Sequence, residues 1–383
     1  MIRDQNTLNG ILEAVSRFVR ERLVPAEAEV AEQDAIPDDI VADMRSLGLF
    51  GLSIPEEYGG MGLTLEEELE VIIRLAHASP VFRSLVGTNN GIGSKAILYS
   101  GNEDQKQRYL PPMARGELIG SFALTEPEAG SDAASLKTRA IRHGDVYVVN
   151  GGKRYISNAP QAGVFTLMAR TDPDEPGAAG VSCFAVDADL DGITLGKPDR
   201  KMGMAGSHTC DVIFQDCRVP AGALLGSEGE GIRIAMQVLD RGRLMVAAAS
   251  VGAAERLLRD SLRYAEERRQ FGKPIAEQQL VQAMLADARA ESYAARSMTL
   301  DAARRYDEGL PVTTDAACCK LFASEMVGRV ADRAVQIHGG AGYMRDYRVE
   351  QFYRDVRLFR LFEGTSQIQQ LVIARNLRKE AAW

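Results

Sequence analysis

The hydrophobic period of the chain changes twice, and this limits the folds open to it. Apolar residues first recur at helix spacing, with Leu8, Ile11, Leu12, Val15, Phe18 and Val19 on one face. From residue 119 the pattern breaks into short β-rich runs separated by Gly and Asp turns. These are Ile119 to Leu124, Lys137 to Ile141, Val146 to Val149, Arg154 to Ile156, Val164 to Ala169, Val181 to Val186, Ile193 to Leu195 and Asp211 to Phe214. After Gly226 the helix period returns in four long segments: Ile232 to about Arg268, Glu277 to Asp307, Thr314 to His338 and Ser366 to Lys379. Short strands at near-regular spacing predict an antiparallel barrel or sandwich instead of parallel βαβ units. Long amphipathic segments joined by short Gly/Pro breaks predict a four-helix bundle. The expected class is multidomain α+β, with an N-terminal helical domain over 1–118, a middle β domain over 119–225 and a C-terminal helical bundle over 226–383.

Local signals divide the first third further. Pro25 marks a helix start or kink, a short helix runs from Asp38 towards Phe50 and ends near Gly48, and Leu52 to Gly62 is rich in turn residues. Thr64 followed by Glu67 predicts a capping box that opens a helix through about Ala78, with another helix starting near Pro80. A chain of 383 residues accommodates two or three domains. Its formal net charge of −8 argues against nonspecific nucleic-acid binding, which needs a basic field. No apolar run reaches the length of a membrane span, and the N-terminus starts with an amphipathic pattern where a leader would carry an apolar core. Five Cys and four His lack metal or redox spacing, so no metal is expected, and the thiols read as reduced, as in a cytoplasmic protein.

Chemistry concentrates near the end of the chain. In Asp355 to Gln369, apolar Leu358, Phe359, Leu361 and Phe362 lead into a single carboxylate, Glu363. Gly364 then permits close backbone approach, and Thr365 or Ser366 can cap the last helix. The helix dipole favours the charged form of such a carboxylate and desolvation favours the neutral form, which is how a general base for a weakly acidic C–H is poised. On these residues alone, an ordinary first-turn glutamate and a catalytic base both stay open. The same holds elsewhere. Ser121 to Asp132 is a strand and turn with exposed amides and hydroxyls, and Tyr264 to Pro274 is a helix end with a basic pair. Asp240-Arg241-Gly242-Arg243 is a charged helix stripe.

Taken together and in order, these segments resemble the acyl-CoA dehydrogenases along nearly the whole chain. The C-terminal signature is Phe362 to Gln369, the first signature is Ser121 to Asp132, and its facing strand is Tyr155-Ile156-Ser157-Asn158. The resemblance implies FAD as cofactor. Phe122, Leu124, Thr125, Tyr155, Ile156 and Ser157 would lie along the flavin ring, and Thr365 and Gln367 near it. Arg268, Gln270, Phe271 and Gln279 would reach the FAD of a neighbouring subunit, with Gln336, Gly339 and Gly340 at its adenosine end. Ser131 would contact cofactor and the CoA part of the substrate, Asp240 and Arg243 the CoA moiety, and Gly364 the thioester. Tyr155 stands where some members have Trp and Ser157 where many have Thr, but a hydroxyl is kept at 157. Some relatives carry the catalytic Glu just before the Arg243 equivalent. Here that residue is Gly242, which leaves Glu363 as the base.

The implied reaction is α,β-dehydrogenation of an acyl-CoA to a trans-2-enoyl-CoA, with electrons passed to an electron-transfer flavoprotein by a homotetramer built as a dimer of dimers. Arg83 bears on the substrate. It falls where the family forms its acyl pocket, and it either faces solvent beside Arg74 or anchors an acidic acyl tail. The second case resembles the glutaryl-CoA dehydrogenases or a sulfinopropionyl-CoA desulfinase. An oxidase using O₂ and a non-catalytic flavin scaffold are further alternatives. Gly226 to Gly231 reads as a linker, since it lacks the βαβ setting of a dinucleotide fingerprint.

Overall fold

The structure, a computed structural model, describes residues 1–380. Its N-terminal third consists of helices Gln5–Phe18, Val24–Gln33, Asp38–Ser46, Leu65–Leu75, Pro80–Thr88, Lys95–Ser100 and Glu103–Ala114. The first two run into each other through one wide turn at Val19–Leu23. Pro25 therefore falls at the first residues of the second helix, directly after that wide turn. The capping box forms: Thr64 Oγ1 accepts from Glu67 N at 3.3 Å, and the Glu67 carboxylate accepts from Thr64 N at 2.9 Å. That helix ends at Leu75, a few residues before the expected Ala78. A second box, Asn102 with Gln105, opens Glu103–Ala114, a helix not resolved from the sequence pattern.

Eight strands form one sheet. In spatial order they are Ile193–Leu195, Thr209–Pro220, Val146–Ser157, Arg139–His143, Val164–Arg170, Val181–Asp187 and Leu224–Leu225, with Gly120–Ala123 also paired to Val164–Arg170. Most neighbours are antiparallel, as expected, but Val164–Arg170 has parallel partners in Gly120–Ala123, over Val164–Leu167, and in Arg139–His143, through Arg139 and Arg170, which makes the sheet mixed. The hairpin formed by Arg139–His143 and Val146–Ser157 supplies the long crossover that a parallel pair needs. The runs at 146–149 and 154–156 are one strand, interrupted by register shifts between Val149 and Gly151 and between Lys153 and Ile156. The second irregularity holds Tyr155 at a left-handed φ of 58° and leaves it 60% exposed.

Helices Gly231–Glu267, Gln279–Asp307, Thr313–His338 and Ser366–Glu380 make the bundle, with Thr313–His338 against the other three. A further helix, Val349–Val356, buries Val349, Phe352 and Val356 against it. One apolar core runs without a break from the N-terminal helices (Leu69, Ile72, Ile73) into the bundle (Ala247, Ala248, Val251). Tyr147, Phe165, Phe184 and Phe214 form a separate sheet core. A third cluster, including Ile97, Leu110, Phe122, Ile234 and Val238, joins helices, sheet and the start of Gly231–Glu267. Among the described residues no helix is long and apolar enough to cross a membrane, and no group of three or more His, Cys, Asp or Glu is placed to hold a metal. All five cysteines are unpaired.

Candidate active site

Glu363 lies between the turn Arg357–Arg360 and the helix Ser366–Glu380. It and Gly364 both have left-handed φ, 57° and 86°. Glycine takes this conformation freely, but a glutamate there carries strain of about 1–3 kcal/mol and needs support. The support comes from side chains. Gln369 Nε2 donates to the carbonyl oxygens of both Glu363 and Gly364 at 3.0 Å, and Lys320 Nζ donates to Gly364 O at 2.6 Å. Thr365 is the helix cap, its Oγ1 accepting from Ile368 N at 3.3 Å, while Ser366 Oγ donates to Glu325 at 2.6 Å. The double reversal sends the Glu363 carboxylate towards Gly242 on the long bundle helix.

Three cations face that carboxylate: Arg83, Arg243 and Lys320. Burial pushes the Glu363 carboxyl up to about 7, against the opposing pull of these cations. Its Oε2 is buried and has no hydrogen-bond partner. Arg83 is 8% exposed, with its guanidinium packed over Gly87 and its Nε buried without a partner. It therefore faces inward and not towards solvent beside Arg74. Arg243 donates to Asp240 Oδ1 at 2.6 Å, Asp240 Oδ2 accepts from Thr313 Oγ1 at 2.7 Å, and Arg243 Nε also lacks a partner. Buried polar atoms are normally paired, so orphans on Glu363, Arg83 and Arg243 in one place mark a site shaped for a polar ligand.

The strand ends sit beside the Arg83 helix. Asn158 Nδ2 donates to Leu85 O at 3.2 Å, two residues from Arg83, and Gly120 N donates to Asn89 Oδ1 at 2.8 Å. Arg154 N donates to Thr125 O at 2.8 Å and Ser121 Oγ to Ser157 O at 2.5 Å, which joins the two strand segments. Phe122, Leu124 and Ile156 are buried beneath them, Thr125 and Ser157 are half-buried, and Ser131 is exposed on the following loop. Behind Thr125 lies a buried ion pair. Lys153 Nζ donates to Glu126 Oε1 at 2.6 Å and to Leu124 O at 3.1 Å, and Glu126 accepts from the backbone of Lys137 and Thr138.

Other residues singled out from the sequence lie far from Glu363. Arg268 follows Gly242 by 26 helical positions, roughly 40 Å along the axis. Arg268, Gln270, Gln279, Gln336, Gly339 and Gly340 are exposed, and Phe271 is 95% exposed at a φ of 52°. Near them His338 stacks on Tyr264 at 4.2 Å, and both line a cavity of about 600 Å³ with Arg268. Thr365 lies within the Glu363 turn, and Gln367 is exposed on the first turn of the last helix. One chain thus gathers Arg83, Asp240, Arg243, Glu363 and Gly364, and leaves the 268–279 and 336–340 groups at the other end of the bundle. Sequence reasoning missed Lys320 and Gln369. A lysine among Cys319, Leu321 and Phe322 was the available signal for the first.

Known proteins bear on this arrangement. Three family models match in chain order: the acyl-CoA dehydrogenase N-terminal domain over residues 6–117, the middle domain over 121–217 and the C-terminal domain over 229–378. The chain is 40% identical over 363 residues to an acyl-CoA dehydrogenase of Bacillus subtilis (strain 168), covering 95% of this chain and 96% of the relative. It is 38% identical over 374 residues to a caffeyl-CoA reductase–Etf complex subunit of Acetobacterium woodii, covering 97% and 98%. An acyl-CoA dehydrogenase from Bacillus anthracis, solved in complex with FAD, superposes with a TM-score of 0.93 at 33% identity, covering 99% of this chain and 68% of that one. With likeness of sequence and fold spanning nearly all of its length, the chain belongs to the acyl-CoA dehydrogenase family.

Proposed function

We propose that this protein is an FAD-dependent acyl-CoA dehydrogenase in which Glu363 takes the α-proton of an acyl-CoA thioester, giving a trans-2-enoyl-CoA. The observation that carries this reading is the buried, unpartnered Glu363 Oε2 at the meeting point of Arg83, Arg243 and Lys320. A carboxyl held near 7 is close to the operating pH of a base, and general-base help of this kind is worth about 10²–10⁴-fold. The backbone N–H of Glu363 would donate to the thioester carbonyl and stabilise negative charge developing there. Arg243, fixed by Asp240, would hold the CoA portion with Ser131.

The residues fit FAD. The strand ends offer the Thr125 and Ser157 hydroxyls and the exposed ring of Tyr155 over buried Phe122, Leu124 and Ile156. Bound there, FAD would supply the acceptor for the hydride leaving the β-carbon. Thr365 and Gln367 would complete this wall. Arg268, Gln270, Phe271, Gln279, Gln336, Gly339 and Gly340 stand too far from Glu363 to serve the same site, and we assign them to the FAD of another copy. Phe271, 95% exposed, and Leu280, 82% exposed, are apolar groups a partner would cover, in keeping with a homotetramer. An electron-transfer flavoprotein is the proposed acceptor, supported by the Etf-complex relative.

A finer reading concerns the acyl tail. Arg83, inward-facing with an unpartnered Nε, favours a substrate ending in an anion, because that anion would give the guanidinium, whose charge faces Glu363, a hydrogen-bond acceptor that its Nε lacks. Anaerobic addition of acyl-CoAs, neutral and dicarboxylic, tests both points. The wild type should bleach its flavin, Glu363→Gln should keep the yellow cofactor without bleaching, and Arg83→Ala should lose selectivity for the dicarboxylic thioester. Unchanged flavin reduction in Glu363→Gln would overturn the assignment of the base.

A further inference from the structure

The carbonyl oxygen of Gly364 accepts two side-chain hydrogen bonds, from Gln369 Nε2 at 3.0 Å and from Lys320 Nζ at 2.6 Å. A neutral amide would serve for holding a turn, yet the second donor is an ammonium on a residue with 0% exposure. Burying a cation against a carbonyl alone is unfavourable unless negative charge is close. The acids that face Lys320 are Glu363 from the turn and Glu325 from its own helix. Glu325 is already engaged by Arg360 Nε at 2.7 Å and Ser366 Oγ at 2.6 Å. Arg243, tied to Asp240, repels Lys320 from the helix Gly231–Glu267, and Arg83 faces Glu363 from Pro80–Thr88. The negative charge left to Lys320 is that of Glu363. Arg83 and Arg243 act on the same carboxylate, but Lys320 also grips the backbone that aims it.

We propose that Lys320 is a positioning residue for Glu363: through the Gly364 carbonyl it fixes the left-handed turn that directs the carboxylate, and through its charge it favours the ionised form of that carboxylate. The proposal rests on the reading of Glu363 as the base. Consistent with the geometry, burial pulls the Lys320 ammonium down to about 8 while Glu363 opposes that shift.

Two substitutions in the FAD-loaded full chain separate the roles. Lys320→Gln keeps a donor for Gly364 O but removes the charge; Lys320→Met removes both. The readouts are flavin content, thermal denaturation against pH, and exchange of the acyl-CoA α-proton in D₂O followed by NMR from pH 5 to 9. In Lys320→Gln the acid limb of exchange should move up by about one pH unit, with the plateau rate near wild type. In Lys320→Met the limb should move likewise and the plateau should fall about tenfold or more. Limbs unmoved in both variants, with losses confined to flavin content or melting temperature, would reduce Lys320 to packing and overturn the proposal. Should Lys320→Met not fold, the limb of Lys320→Gln decides alone. Glu363→Gln run in parallel distinguishes the two failures. Persistent exchange there sinks the base itself, whereas its silence beside unmoved Lys320 limbs sinks only this proposal.

Discussion

A Cβ on residue 242 would lie 2.8 Å from Cδ and 3.0 Å from Oε1 of Glu363, so the carboxylate occupies space that exists because Gly242 has no side chain. Glycine inside a helix costs roughly 1 kcal/mol relative to alanine. Gly242→Ala should therefore leave melting temperature unchanged or slightly raised while the carboxylate is forced aside. The rate of flavin reduction by acyl-CoA should fall at least about tenfold, since small misplacements of a base are expensive. Stopped-flow absorbance beside a thermal melt checks this, and an unchanged rate would mean that the carboxylate works from some other position.

The raised Glu363 carboxyl also links stability to pH. In the unfolded chain it titrates near 4.5, and in the fold near 7, so between those values the folded state binds more protons. Stability from this group falls as pH rises through that window and levels off above it. Glu363→Gln mimics the neutral form. It should melt higher than the wild type at pH 8 and nearly level with it at pH 4.5. Melting curves at the two pH values read the difference directly, and a variant less stable at pH 8 would contradict the sign.

How much of this was legible depended on the range of the interaction. The Thr64 and Glu67 box spans four residues and could be read directly, as could the run from Phe362 to Gln369. The parallel pairing of Gly120–Ala123 with Val164–Leu167 could not, because nothing in either run names a partner some forty residues away. The direction of Arg83 was open for the same reason: its helix is buried on nearly all sides, and only long-range packing against other helices and the sheet places Arg83 opposite Glu363. Lys320 was easy to pass over, even among Cys319, Leu321 and Phe322, because lysine on an amphipathic helix reads as a solvent-facing group, and its burial follows from the turn at Gly364 folding over it. The helix Val349–Val356 was a plainer omission, since Val349, Phe352 and Val356 already had helical spacing.

The pair Lys153–Glu126 is 0% and 6% exposed and backs the loop that carries Thr125. Removing one member strands the other, which costs about 3–5 kcal/mol for a buried pair. Lys153→Met should lower stability by that amount, and the double variant with Glu126→Gln should recover part of it. FAD retention on gel filtration should weaken in parallel, because Lys153 also holds Leu124 O. Additive losses in the denaturant midpoints of the two single variants and the double would show that the pair is not coupled.

Arg256 joins the N-terminal helices to the bundle. It donates to Glu27 Oε1 at 3.1 Å, to Asp260 Oδ2 at 2.6 Å and to the His77 carbonyl at 2.7 Å. Glu27 is 1% exposed and also accepts from Ser79 N at 2.8 Å, and burial raises its carboxyl above the ordinary range even with Arg256 beside it. In Arg256→Met the carboxylate would keep the Ser79 bond but lose its cation, at a cost of about 3–5 kcal/mol. The sign of the pH effect follows from the proton balance. Without Arg256 the folded-state pKa of Glu27 moves further above its unfolded value, so the variant takes up a proton on folding and its deficit shrinks as pH falls. Urea denaturation at pH 8 and pH 5 should thus show a larger loss at pH 8, and Glu27→Gln, which carries no charge to strand, should lose less than Arg256→Met at pH 8. Equal losses at both pH values would place the contribution of Arg256 in its packing against Phe352, whose ring centre lies 5.6 Å away, and not in the ion pair.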